Sequence, residues 1–243
     1  LACPTLSALW LASNGNPEWH LFIIFFIGTI LMRSAGCAIN DFADKDIDKF
    51  VERTSKRPLT SSKIKPFEAI LVALFLVLIS LALVLQLNLY TKVISIFAFL
   101  IAITYPYFKR FFIIPQAILG IAFSFGILMS YTAVQNSIPS TAWIFFIANI
   151  FWTIAYDTTY AIVDREHDLK IGLKTSAITL GKYDIFFILS CHLVHIILIS
   201  HVAIRENLKN YFFVGILLII ILIIYHWFLI RSRNTINCFK VFN

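Results

Sequence analysis

The run AILVALFLVLISLALVLQL, residues 69–87, holds 19 consecutive residues without a charged side chain. A segment of this kind has almost no polar face to turn toward water. Its length is close to the ~20 residues that cross a bilayer. The run lies in a segment at about 67–88, and similar runs stand at about 20–40, 91–107, 111–133, 140–163, 184–204 and 210–231, after a partial helix in residues 1–13, LACPTLSALWLAS. In lipid only helices or closed barrels satisfy their own backbone groups. These runs lack the apolar-polar alternation of barrel strands. The predicted fold is therefore all-α: a polytopic membrane helix bundle with eight visible segments, in a single domain spanning 1–243. The composition agrees, at 60% hydrophobic and 14% charged, where a soluble domain averages about 25% charged. No basic stretch precedes a cleavage site, so no signal peptide is expected. The chain opens mid-helix at Leu1 and stops at NCFKVFN, so truncation is expected at both ends.

Lysine and arginine divide unequally between the two sets of connections. One set holds Lys45, Lys49, Arg53, Lys56, Arg57, Lys63, Lys65, Lys109, Arg110, Arg165, Lys170, Lys174, Lys182, Arg231 and Arg233; the other holds Lys92, Arg205 and Lys209. Fifteen against three places the first set on the cytoplasmic side, or the matrix side in an organelle. The net charge of +7 is mostly this bias. Nucleic-acid binding is excluded, because the cations sit in membrane connections interleaved with acids. Cys3, Cys37, Cys191 and Cys238 show no metal-ligand spacing and are expected to be small buried hydrophobes. His192, His195 and His201 share one segment with no carboxylate near His192 and His195, so interhelical hydrogen bonding or interface placement is expected rather than a metal.

The basic side also carries the acids. NDFADKDIDK, residues 40–49, follows one apolar run, and DREHD, residues 164–168, follows another. Asn40, Asp44 and Asp48 are spaced i, i+4, i+8 along one helical stripe, which Asp41 borders. Asp164 and Asp168 repeat the i, i+4 spacing, with Asp157 two turns earlier on the face of Asp164. Like charges at i, i+4 repel, and the helix dipole disfavours carboxylates near a C-terminus. A cation is needed to offset both effects. Two such faces brought together would surround a small volume with hard oxygens, as Mg²⁺ requires. Arg53, Arg57, Lys109 and Arg110 are more cations than carboxylates need; a diphosphate would use them. A solvated charged connection is the plainer explanation of one such cluster. The repeat of its spacing on the same membrane side argues for the site. Cap loops are expected at about 41–66 and 164–183.

The ordered blocks resemble a known family. Asn40-Asp41-x-x-Asp44-x-x-x-Asp48, then Arg53-Thr54-x-x-Arg57-Pro58-Leu59, resembles the first signature of the UbiA superfamily of intramembrane aromatic prenyltransferases. YDTTYAIVDREHDLKIGLKTSAITLG, PTLSALWLA, LMRSAGCAIND and YPYFKRFFIIPQAILG look like its 4-hydroxybenzoate polyprenyltransferase branch. The resemblance spans nearly the whole chain. It implies nine transmembrane helices around a central cavity open sideways to lipid, with two Asp-rich motifs binding Mg²⁺-diphosphate. Ser62 stands where the family signature usually has glycine, which puts that turn's geometry in question. KTSA replaces the commoner KSTA.

By this resemblance the partners are a polyprenyl diphosphate, 4-hydroxybenzoate and the lipid bilayer, and the setting is ubiquinone biosynthesis. The membrane would be the bacterial inner membrane, with the mitochondrial inner membrane as the alternative. Asp44, Asp48, Asp164 and Asp168 would form the Mg²⁺ shell, with Asp41 a further candidate. Asp157 would orient a ligand or assist proton removal. Lys109 and Arg110 would hold diphosphate or the aromatic acid, under a cap carrying Arg53 and Arg57. Arg33 lies two turns before Asn40 inside the apolar run, where an arginine costs about 2.5–3.5 kcal/mol on insertion scales. It should therefore have an aspartate partner or face a cavity. In the second case its planar fork would receive the acceptor's carboxylate, leaving Asn40 near the ring hydroxyl. Tyr156, Tyr160, Trp152, Phe123 and Phe125 offer π faces to a developing cation, with ordinary helix packing the plainer role of any single one. The competing readings are another aromatic acceptor (naphthoate, homogentisate, haem) and a divalent-cation transporter. A transporter would place its acids near the bilayer midplane.

Overall fold

The computed structural model of the chain describes residues 2–46, 49, 54, 56–108, 111–170 and 172–242. Among these residues the regular structure is helical: α1 (Ala2–Ala12), α2 (Trp19–Asp44), α3 (Pro66–Val84), α4 (Leu89–Phe108), α5 (Pro115–Gln135), α6 (Ser140–Lys170), α7 (Ser176–Leu180), α8 (Asp184–Arg205), α9 (Asn210–Ile230) and α10 (Thr235–Phe242). The apolar segments correspond to α1 to α6, α8 and α9, so the all-α expectation holds. Among the described residues six stretches are long and apolar enough to cross a membrane: α2, α3, α4, α5, the run through α7 and α8, and α9. Large apolar side chains such as Phe75, Phe186 and Leu217 remain exposed on them. A soluble protein does not leave so much contiguous apolar surface uncovered. The chain is a multi-pass membrane protein.

Local sequence sets the helix ends. Pro66 occupies the first turn of α3, where its missing N–H costs nothing, and the Lys65 N–H donates to Glu68 Oε2 at 2.6 Å. Asn88 starts α4 by accepting the Thr91 N–H at 2.9 Å. The expected cap-loop boundaries need correction. Residues 41–44 are the last turn of α2, and residues 164–170 the last two turns of α6. Apolarity decides what lies in lipid, whereas a helix runs on until a residue breaks its ladder. For α6 that residue is Gly172, at φ +73°. The Leu173 N–H donates to the Asp168 carbonyl (3.0 Å) and the Gly172 N–H to Leu169 (3.4 Å). This is a glycine-terminated Schellman closure. At 31 residues α6 is about 46 Å long, well over the ~30 Å hydrocarbon thickness, so its charged end has room outside lipid.

The chain divides into two compact units, Leu1–Tyr107 with Phe125–Ile138, and Phe108–Ser124 with Pro139–Asn243. In the first, Leu9, Ile24, Phe25 and Leu87 form a core with Met129 and Ala133 packed against it. Helices α1 and α5 approach closely: Ser130 Oγ donates to the Thr5 carbonyl (3.0 Å), and a Cβ on Gly126 would collide with Thr5 Oγ1. In the second unit α6 is central. Ile154, Ala155 and Ile162 pack with Ile185, Ile188, Ile230 and Cys238 from the surrounding helices. Gly120 lets α5 approach α6, because a Cβ there would lie 3.1 Å from the Ile150 carbonyl oxygen. Asn149 is paired in this apolar setting, its Nδ2 donating to Ser124 Oγ at 2.9 Å, whereas buried His192 Nδ1 has no hydrogen-bond partner among the described residues. His195 Nδ1–H donates to the Ala148 carbonyl at 2.8 Å, which is the interhelical bond expected of it. All four cysteines are free; Cys191 and Cys238 are buried as expected, whereas Cys3 and Cys37 are exposed.

Candidate active site

In the first unit, Arg33, Asn40, Asp41 and Asp44 all lie on α2, and Asp44 is its last residue. Arg33 is exposed; Asn40, Asp41 and Asp44 are half-buried. Arg57 reaches back 16 residues, and its Nη1 donates to Asp41 Oδ1 at 2.8 Å. Both side chains are 30% exposed, so the pair contributes on the order of 1 kcal/mol. Arg57 comes from a compact turn. Its own N–H donates to the carbonyl of buried Thr54 (3.0 Å), and the Pro58 carbonyl accepts the Lys63 N–H (2.9 Å). Ser62 holds this turn at φ +58°, the left-handed region that glycine adopts without cost. The turn geometry in question at Ser62 is thus the one glycine favours, taken here by serine. Asp48, Arg53, Lys109 and Arg110 lie outside the described residues.

In the second unit, Tyr156, Asp157, Tyr160, Asp164 and Asp168 lie on α6, all half-buried. Trp152, Tyr156 and Tyr160 form a stripe at i, i+4, i+8. Trp152 stacks on Tyr156 with centroids 5.2 Å apart, and Phe242 of α10 packs on Tyr156 and Tyr160 at 4.4 and 4.3 Å. Phe123 and Phe125 are half-buried on α5 and belong to different units. The segment after α6 is anchored to the rest of the unit. Buried Thr158 shares a 2.7 Å hydroxyl hydrogen bond with Ser176, whose N–H donates to Gln116 Oε1 at 3.2 Å. Thr175 caps α7 by accepting the Ile178 N–H. Both central positions of KTSA therefore use a hydroxyl, which serine and threonine each supply.

Asp184 received no role from the sequence. It heads α8 fully buried, and Arg233 grips it with Nε at 3.0 and 3.1 Å from its two oxygens and Nη2 at 2.6 Å. Arg165, between the two aspartates of DREHD, places Nη1 3.6 Å from Asp184 Oδ2. The hydrogen bond to Asp184, opposed by burial, pushes the Arg233 guanidinium above its ordinary range. Asp184 is fully buried but Arg233 is 35% exposed, so removing Arg233 costs less than the ~3–5 kcal/mol of a pair buried on both sides. The signal in the sequence was an acid at the mouth of an apolar run, the same anomaly that singled out NDFADKDIDK. Among the described residues no group of three His, Cys, Asp or Glu could by itself enclose a metal ion.

The whole chain, residues 1–243, matches the model of the UbiA prenyltransferase family. The chain belongs to the UbiA prenyltransferase family. It is 57% identical over 243 residues to a 4-hydroxybenzoate octaprenyltransferase of Janthinobacterium sp. (strain Marseille), across all of this chain and 86% of that one. It is 57% identical over 242 residues to the protein of the same name from Herminiimonas arsenicoxydans, of which 85% is covered. Relatives this similar are enzymes that transfer prenyl groups, and so is this family member. Among solved structures, it is similar to the apo UbiA homolog from Aeropyrum pernix K1, with TM-score 0.88 and 25% identity over 99% of this chain and 91% of that one. A UbiA homolog from Archaeoglobus fulgidus, solved bound to GPP and Mg²⁺, shares the fold at TM-score 0.74 and 21% identity, over 96% and 84% of the two chains.

Proposed function

We propose that this enzyme transfers a polyprenyl group from a polyprenyl diphosphate to the ring carbon ortho to the hydroxyl of 4-hydroxybenzoate, as a step of ubiquinone biosynthesis in the bacterial inner membrane. One observation carries the reading: 57% identity along the full chain to proteins named 4-hydroxybenzoate octaprenyltransferase. Octaprenyl diphosphate is the donor that those names favour.

Asp44 with Asp48, and Asp164 with Asp168, offer carboxylates to Mg²⁺-diphosphate, and Asp41 adds a further oxygen beside Arg57. The residues fit this cation. Mg²⁺ typically takes one or two protein carboxylates and fills its octahedron with water and phosphate oxygens. Half-buried Asp164 and Asp168, one helical turn apart, meet that need without a three-residue cage. When bound, Mg²⁺ would neutralise charge that builds on the departing diphosphate. Arg53, Arg57, Lys109 and Arg110 take the remaining phosphate oxygens. The aromatic stripe of Trp152, Tyr156 and Tyr160, with Phe242 packed on it, would line the donor's path with π-rich groups for the developing allylic cation. Arg33 receives the acceptor's carboxylate, Asn40 lies near its hydroxyl, and Asp157 orients the ring or takes the proton.

The test is transfer of labelled 4-hydroxybenzoate to octaprenyl diphosphate in membranes. EDTA should abolish product and added Mg²⁺ restore it. Asp44→Ala and Asp164→Ala should each lower the rate by roughly 10²-fold or more, the scale for losing one charge-stabilising group. Full activity in both variants would sink the two-motif reading. Transfer to a dihydroxynaphthoate in preference to 4-hydroxybenzoate would instead replace the acceptor.

A further inference from the structure

Two guanidinium groups converge on the single carboxylate of Asp184. Arg233 alone neutralises it in a bidentate grip, from a backbone at φ +54°. The second cation, Arg165, is therefore not needed to satisfy Asp184. The contact has consequences for Arg165 itself. Arg165 follows Asp164 directly and precedes Asp168 by one helical turn, and an i, i+3 pair on a helix is within reach. Its five-donor fork binds carboxylates bidentately and would take the oxygens that a hard cation uses. Instead its Nη1 lies 3.6 Å from Asp184 Oδ2, and its Nη2 passes over Gly181, 3.9 Å from where a Cβ would stand.

We infer that Asp184 is a positioning residue: it draws the Arg165 guanidinium onto the head of α8 and keeps that cation from competing with Mg²⁺ for Asp164 and Asp168. The inference rests on the prenyl-transfer reading of those two aspartates, and the experiment separates the two.

The full chain in detergent is titrated with Mn²⁺ in the presence of geranyl diphosphate, and free Mn²⁺ is read from its paramagnetic resonance signal. If the parent protein takes up no Mn²⁺ with the diphosphate, the metal-diphosphate reading fails before Asp184 is at issue. If it does, Asp184→Asn is expected to weaken Mn²⁺ binding roughly tenfold, the lower end for losing a group that orients a metal ligand. Adding Arg165→Gln removes the competitor and should return affinity to within about twofold of Arg165→Gln alone, since the two residues act as one unit. Arg233→Gln shares the structural loss but leaves Arg165 its partner, so it should keep the parent's affinity. Unchanged affinity in Asp184→Asn overturns the inference, and so does a double variant as weak as the single. If Asp184→Asn does not fold, Arg165→Gln decides alone. Affinity at or above the parent's is expected, whereas weaker binding would make Arg165 a diphosphate ligand and overturn the inference.

Discussion

Ser62 shows what one side chain costs a turn. At φ +58° its Cβ crowds the backbone, a penalty of about 1–2 kcal/mol for a non-glycine residue. The turn still forms, because the Pro58 carbonyl accepts two N–H groups, from Lys63 at 2.9 Å and Ile64 at 3.3 Å. Ser62→Gly should therefore stabilise the protein by up to about 1 kcal/mol, after the entropy glycine adds to the unfolded chain. A thermal melt in detergent that moves down instead would show that the serine hydroxyl has a role of its own. The aspartates were legible at this scale, because like charges at helical spacing beside an apolar run demand a cation. Arg57 as the partner of Asp41 was not. Sixteen residues separate them, and no periodicity links a helix end to a turn.

At the scale of elements, small residues decide how closely helices pack. A side chain on Gly126 meets Thr5 whichever way it turns, since Thr5 Oγ1, Cβ and Cγ2 all lie near the position a Cβ would take. Gly126→Val should overpack the contact between α1 and α5 and destabilise the first unit by about 1–3 kcal/mol. Thr5→Ala should recover part of that loss in the same melt; no recovery would mean that the strain lies elsewhere. The segments of α2 to α5, α8 and α9 were readable because an apolar run in lipid has few alternatives to a helix. Their polar ends were less so. Residues 41–44 and 164–170 look like loop by composition and are helix by hydrogen bonding. For α6 the stop signal, Gly172, sits eight residues past the first acid of the motif.

For the whole molecule, we propose from the asymmetry of lysine and arginine that the acidic helix ends face the cytoplasm. Lys63 and Lys209 are both exposed and fall on opposite sides of that assignment. With Cys3 and Cys37 replaced by serine, a cysteine at 63 should react with a membrane-impermeant maleimide only in inside-out vesicles, and one at 209 only in right-side-out vesicles. The reverse pattern would invert the topology and move the acidic motifs to the periplasmic face.

By itself the sequence determined the helical membrane class, the family, and the stripes that carry the acids. The family is carried by the resemblance of its ordered motifs; the class and the stripes follow from local terms: the cost of an unpaired backbone in lipid, the 3.6-residue period, and repulsion between neighbouring carboxylates. The tertiary structure decided which cation meets which acid. Arg57 on Asp41, and Arg165 with Arg233 on Asp184, are contacts across 16, 19 and 49 positions of chain. Pairing at that range depends on where packed helices bring their ends. No local energy in the sequence specifies it.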